Sequence, residues 1–189
     1  MKIPAISIDE IEGLVEPDRV HKRLYTDSDI FELEMDRVFS KAWIFVCHES
    51  QIPEPGDFCS AQVARQSVLV VRHTDDSIKA LYNRCPHKGT QLTTAASGHV
   101  RVFRCMYHAW SFDTDGSLKA RPLADGYDGS RLETDNEDCN LRRIACVESY
   151  RGFVFVRIHT EGPELSTWLG KARTSIDNMV DRSPREYLR

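Results

Sequence analysis

Several features that would place this chain quickly are scarce in it. Six cysteines among 189 residues are too few for a scaffold built on disulfides. Runs such as Ala42 to Cys47 and Ser67 to Val71 fall far short of the ~20 apolar residues that a membrane-spanning helix needs. A strong charge of one sign is also lacking: 25 Lys and Arg against 29 Asp and Glu leave a formal net charge of −4, which argues against a basic nucleic-acid binder. Met1 to Pro17 has only Lys2 as an early cation, several acids and no apolar core, so a secretory signal is not expected. No repeat or low-complexity segment interrupts the chain. What is present, 41% hydrophobic, 9% aromatic and 29% charged residues, is ordinary globular composition and enough to bury a core. The expected compartment is the cytoplasm, where thiolate–metal chemistry accounts for cysteines better than disulfides do.

Periodicity gives a mainly β chain flanked by helices. The first twenty residues read as an irregular, mobile leader. Thr26 and Asp29 have capping-box spacing, and Phe31, Met35, Val38, Phe39 and Ala42 recur at helical intervals, which predicts a helix over about Asp27 to Lys41. Trp43 to Cys47 is a strand-type apolar run, followed by the breakers Pro53, Pro55 and Gly56. Short strands are then predicted at Phe58 to Val63, Val68 to Arg72, Ile78 to Tyr82, Val100 to Phe103, Ser111 to Phe112, Ile144 to Glu148 and Phe153 to Ile158. Such close spacing predicts a small antiparallel sandwich or barrel and leaves no room for the helices of a parallel sheet. Leu123 to Asn140 reads as a long surface loop, and Glu164 to Val180 as a helix with Leu165, Trp168, Leu169, Ala172, Ile176, Met179 and Val180 on one side.

The chemistry concentrates in Cys85-Pro86-His87, seventeen intervening positions, and Cys105-Met106-Tyr107-His108. Each short segment offers one thiol and one imidazole. A Rieske cluster has two Cys on one iron and two His on the other, so two such loops facing each other supply one ligand per iron from each side. A mononuclear Cys2His2 zinc site uses the same ligand set, although zinc fingers usually pair Cys with Cys and His with His along the chain. Cys47 and Cys146 lie in apolar surroundings and read as small buried hydrophobes, while Cys59 and Cys139 have no assigned role. His48 reads as structural or exposed, and His21, His73, His99 and His159 have no partner at a ligand spacing.

These two segments resemble the Rieske motif. Respiratory-chain Rieske proteins carry an additional disulfide-forming Cys in each loop, where this chain has Thr90 and Tyr107, so the resemblance is to the low-potential branch that serves oxygenases. The run Ala42 to Pro53 with Gly56-Asp57-Phe58, the block Asn83 to Gly89, and Trp110 to Leu118 closely resemble the large (α) subunits of bacterial aromatic-ring-hydroxylating dioxygenases. The likeness extends from about Tyr25 to Ile158. One departure is Ala109, where that family most often has Gly.

The resemblance implies a Rieske-type antiparallel β sandwich or barrel with flanking helices, divided as leader 1–25, helix and lead-in segment 26–57, Rieske domain 58–160 and linking helix 161–189. It implies a [2Fe-2S] cluster on Cys85, His87, Cys105 and His108, with Tyr107, Trp110, Lys88 and Arg84 around it. Tyr107 and Trp110 are expected to cover the cluster. No Asp or Glu lies between Ser77 and Phe112, whereas Lys79, Arg84, Lys88, Arg101 and Arg104 do, a window that reads either as a docking face for an acidic donor or as solvated strand charge. Implied partners are a ferredoxin or flavin reductase, other α subunits in a trimer, and a β subunit, with no nucleic acid or membrane. The family also needs a mononuclear non-heme Fe(II) on two His and a carboxylate. Only His159 follows His108, so that site is expected in a catalytic domain outside this chain, and this chain alone is not expected to hydroxylate substrate. A free-standing Rieske ferredoxin-type carrier and a non-redox zinc-binding module remain as alternatives.

Overall fold

Val68, Leu69, Val70 and Val71 all have 0% solvent exposure. Successive side chains of a strand point to opposite faces, so four such residues in a row require cover on both sides. The computed structural model, which describes residues 6–133 and 137–182, supplies that cover with a layer on each face of a central sheet.

In chain order the elements are α1 (Ile8–Glu12), β1 (Val15–Glu16), β2 (Arg19–Val20), α2 (Arg23–Thr26), α3 (Ser28–Glu34), β3 (Ile44–His48), β4 (Asp57–Val63), β5 (Gln66–Arg72), β6 (Ile78–Tyr82), β7 (Ser97–His99), β8 (Phe103–Arg104), β9 (Ser111–Phe112), β10 (Leu118–Ala120), β11 (Cys146–Tyr150), β12 (Phe153–Arg157), α4 (Leu165–Leu169) and α5 (Ala172–Asp181). The central sheet runs β6-β5-β4-β7 and is antiparallel throughout. Val68, Val70, Ala80, Cys59 and Val63 on one face pack with Cys47, Val154 and Val156 of the sheet β11-β12-β3. Phe58, Leu69, Val71 and Leu81 on the other face pack with Phe103 and Phe112 of the sheet β10-β9-β8, and with Cys85, Cys105 and Trp110. The expected mainly β, antiparallel Rieske-type sandwich is therefore the observed fold. Among the described residues no helix is long and apolar enough to cross a membrane.

Several local expectations change. The first five residues of the expected leader lie outside the described residues; from Ile6 on it is ordered, with a capping box between Ser7 and Glu10 and Ile6 packed with Ile30 and Leu33 of α3. Asp27, rather than Thr26, caps α3, accepting from the Asp29 N–H at 3.0 Å, while the Thr26 hydroxyl donates back to the Lys22 carbonyl. The helix is also shorter than expected, passing into a π-helical turn over Met35–Phe39. Of the strand expected at Val100 to Phe103 only Phe103 lies in a strand, β8; the chain pairs earlier, Ser97–His99 against Asp57–Cys59, where Gly98 lets the backbone lie against the Phe58 ring. The C-terminal helix is broken at Gly170, whose φ of 48° no helix continues through, and residues 183–189 of the expected linking helix lie outside the described residues. Leu123 to Asn140 is not wholly a surface loop, since Leu132 and Cys139 are buried in the core beside the two motif cysteines.

Candidate metal centre

Two loops at the end of the β8–β10 layer carry the four motif residues, and their backbones are built alike. The Cys85 N–H donates to the Thr90 carbonyl at 2.8 Å and its carbonyl accepts from the Gly89 N–H at 2.9 Å. The Cys105 N–H donates to the Trp110 carbonyl at 2.8 Å and its carbonyl accepts from the Ala109 N–H at 2.9 Å. Each loop thus turns back within five residues and points one thiol inward. Buried Asn83 ties the first loop's ends together: its amide donates to the Thr93 carbonyl and Ser67 hydroxyl, and its oxygen accepts from the Leu92 and Thr93 N–H groups.

The result is two pairs. The Cys85 and Cys105 thiols lie in one core cluster and are 2% and 3% exposed. Burial, with the Cys105 thiol adding to it, pushes Cys85 up to about 11. In the same two loops, the His87 and His108 rings lie 4.6 Å apart between centroids at 63°. His87 is half-buried and held below the usual imidazole range, first by burial and then by the charges of His108 and Lys88. It therefore keeps a free nitrogen lone pair at neutral pH. His108 is exposed. Among the described residues, no three His, Cys, Asp or Glu side chains converge as they would on a single ion. A buried thiol pair and an imidazole pair carried by the same two loops suit a centre with two metal ions, each taking two protein ligands.

The surrounding residues divide the expectations made of them. Trp110 is fully buried and stacks on His87 at 5.1 Å and 6°. Tyr107 does not cover the pair: it is 64% exposed and lies against His108 on the outer side, at 3.9 Å, beside Met106 at 85% exposure. The Arg84 guanidinium packs over Gly89, and Lys88 is exposed next to His87. Tyr127, which the sequence did not single out, stands edge-on to His87 at 5.4 Å and accepts a 3.0 Å hydrogen bond from Trp110 Nε1. Arg121 lies over the rings of both Trp110 and Tyr127. Of the basic window, Arg84, Lys88, Arg101 and Arg104 are exposed and Lys79 is half-buried.

Of the other cysteines, Cys47, Cys59 and Cys146 lie outside the core that holds this centre, Cys139 shares it, and all six are free thiols. Cys47 and Cys59 are buried together in the second core; Cys59 and burial together push Cys47 up. Cys139 is buried near Arg121. Cys146 departs from the buried apolar role expected of it, being half-buried and accepting from Arg157 at 3.5 Å. The remaining histidines are engaged elsewhere, His73 with Thr114 and His99 with Asp57 for example.

Known proteins resemble this chain in sequence and fold. Anthranilate 1,2-dioxygenase large subunit from Acinetobacter baylyi is 40% identical over 171 residues, covering 90% of this chain and 36% of the relative. Biphenyl dioxygenase subunit alpha from Paraburkholderia xenovorans is 35% identical over 183 residues, covering 94% of this chain and 38% of its own length. Among solved structures, naphthalene 1,2-dioxygenase from Rhodococcus sp. superposes with a TM-score of 0.78 at 32% identity, over 86% of this chain and 37% of that one. The chain thus spans well under half the length of these relatives, on the part that holds their Rieske domain. A model described as the Rieske [2Fe-2S] domain matches residues 42–148, from the residue before Trp43 through both loops to β11, and the chain belongs to that family.

Proposed function

We propose that Cys85 and Cys105 hold one iron of a [2Fe-2S] cluster and His87 and His108 the other, and that the chain relays single electrons within an aromatic-ring-hydroxylating dioxygenase. The observation that carries this reading is the separation of the four side chains into a buried thiol pair and an imidazole pair that reaches the surface. The chemistry supplied by such a cluster when bound is reversible one-electron transfer, and imidazole ligation makes it easier to reduce than an all-cysteine cluster.

The chain's own residues serve that chemistry in distinct ways. The matched backbone frames of the two loops hold Cys85 and Cys105 in equivalent positions. The burial that raises Cys85 means that loading must release protons from the thiols, so affinity rises with pH. Trp110 keeps water from one face of His87. The exposed His108 edge brings the centre within reach of a partner, and Lys88, Arg101 and Arg104 favour an acidic donor such as a ferredoxin or reductase. On this reading the electron passes on to a mononuclear non-heme iron held by the catalytic domain of an α subunit, in an assembly of α subunits with or without β. The aromatic substrate would be chosen there.

Iron, zinc and acid-labile sulfide analysis of anaerobically purified protein, followed by a reductive titration, tests the proposal. Iron and sulfide in equal amounts, taking up one electron per pair of irons, are expected. Stoichiometric zinc without sulfide would overturn it.

A further inference from the structure

The two imidazoles sit in unlike surroundings. His108 is open, with an exposed Tyr107 beside it, whereas His87 is walled in on two sides. Trp110 lies parallel to the His87 ring, and Tyr127 stands at 81° to it, so that the two rings form a corner at 80° to each other. The Tyr127 hydroxyl sets that corner by accepting the indole N–H of the fully buried Trp110. Trp110 belongs to the second loop, but Tyr127 comes from the segment after β10.

Tyr127 is placed there by more than its own contacts. Arg121 reaches along the segment, donating to the carbonyls of Leu132 and Glu133 and to the Cys139 sulfur, while its guanidinium lies 5.7 Å from the Trp110 ring centre and 5.4 Å from that of Tyr127. Glu133 and Ser130 hold the turn from within, the first accepting from the Gly129 N–H and the second donating to the Tyr127 carbonyl. A segment rich in Asp and Gly is thereby tied to the core at both ends of the turn.

Resting on the cluster assignment above, we propose that Tyr127 is a positioning residue that closes the second side of His87, fixing its ring plane and keeping water from it. Partners that orient a ligating imidazole and an apolar shell that limits solvent both tune a metal centre, and Tyr127 does both through one ring. Its hydroxyl holds Trp110 in the stack; its ring blocks the edge that Trp110 leaves open.

The test uses the full chain loaded with its cluster and reduced, as wild type, Tyr127→Ala and Tyr127→Phe, with pulsed EPR in H2O and D2O. Tyr127→Ala is expected to deepen the deuterium modulation and to shift the nitrogen coupling of one histidine, leaving the other in place. Tyr127→Phe keeps the ring and loses only the hydroxyl's hold on Trp110, so it is expected to stay drier than Tyr127→Ala. Should the alanine variant lose its cluster, Tyr127→Leu, which keeps apolar volume without a ring, carries the same expectation. Wild-type modulation and couplings in the truncated variant, or a phenylalanine variant as wet as it, would overturn the proposal. Loss of the paired histidine couplings in wild type would instead overturn the cluster assignment, so the two failures are distinct.

Discussion

Gly89 and Ala109 hold the same place in the two cysteine loops. Each donates its backbone N–H to the carbonyl of the cysteine four residues before it, at 2.9 Å, and each has a left-handed backbone, with φ of 75° and 60°. Only one of them is glycine. A side chain in this region costs roughly 1–2 kcal/mol, offset in part by about 0.4–1 kcal/mol because alanine restricts the unfolded chain more than glycine does. Ala109→Gly is therefore expected to be neutral to stabilising by up to about 1.6 kcal/mol. Gly89→Ala takes on the same backbone cost and pushes a methyl to 3.1 Å from the Arg84 guanidinium, so it should destabilise. Urea midpoints of the two variants, with cluster content measured alongside, check both signs.

Cys85→Ser and Cys105→Ser each remove half of the buried thiol pair and are expected to abolish the cluster, with a loss of thermal stability beyond that of the metal-free wild type. His108→Cys exchanges a neutral ligand for an anionic one, so any cluster that assembles should have a lower midpoint potential. Full iron and sulfide in a serine variant would contradict the first expectation. An unchanged midpoint would contradict the second.

Glu49 links three elements: its carboxylate accepts from Ser149 on β11 and pairs with Arg72 on β5. The Ser149 hydrogen bond, opposed by burial and helped by Arg72, holds it below its ordinary value of 4.5. A carboxylate lowered in the folded state contributes stability that is present above the unfolded value and lost as the pH falls through the folded one. The stability gap between wild type and Glu49→Gln should thus be complete at neutral pH and close below about pH 4.5. Urea midpoints from pH 7 down to pH 3 measure it, and a gap that widens in acid would refute the sign.

Reduction by an acidic ferredoxin should slow as ionic strength rises, because exposed charges are screened within about 10 Å at 0.1 M salt. Lys88→Gln and Arg104→Gln should flatten that dependence, as both side chains are exposed beside the two loops. Stopped-flow rates over a salt series decide the matter. A flat wild-type profile would leave these charges as solvated surface.

How much of this was legible in the sequence depended on whether a feature was local. The four motif residues were, since loop-scale spacing fixes which side chains a turn can bring together. The central strand β5 was too, because a run of apolar residues on both faces leaves little choice of location. Edge strand Ser97–His99 was missed because all three residues are exposed and none is apolar, so its pairing rests on backbone bonds that a hydrophobic pattern does not record. Ser7 and Glu10 did carry a readable capping signature, and Gly170 a readable break. Tyr127 and Arg121 carried none: their meeting with Trp110 depends on the folding of a segment whose Asp and Gly content reads as solvent-facing. The Cys47–Cys59 pair was hidden for the same reason, joining β3 to β4 across a layer boundary.

The central claim, two thiols and two imidazoles around one [2Fe-2S] cluster, is tested most directly by low-temperature EPR of the dithionite-reduced protein. A rhombic signal whose average g is low, as imidazole ligation of one iron produces, is expected at one spin per two irons. An all-cysteine type of signal, or a silent sample containing stoichiometric zinc, would contradict it.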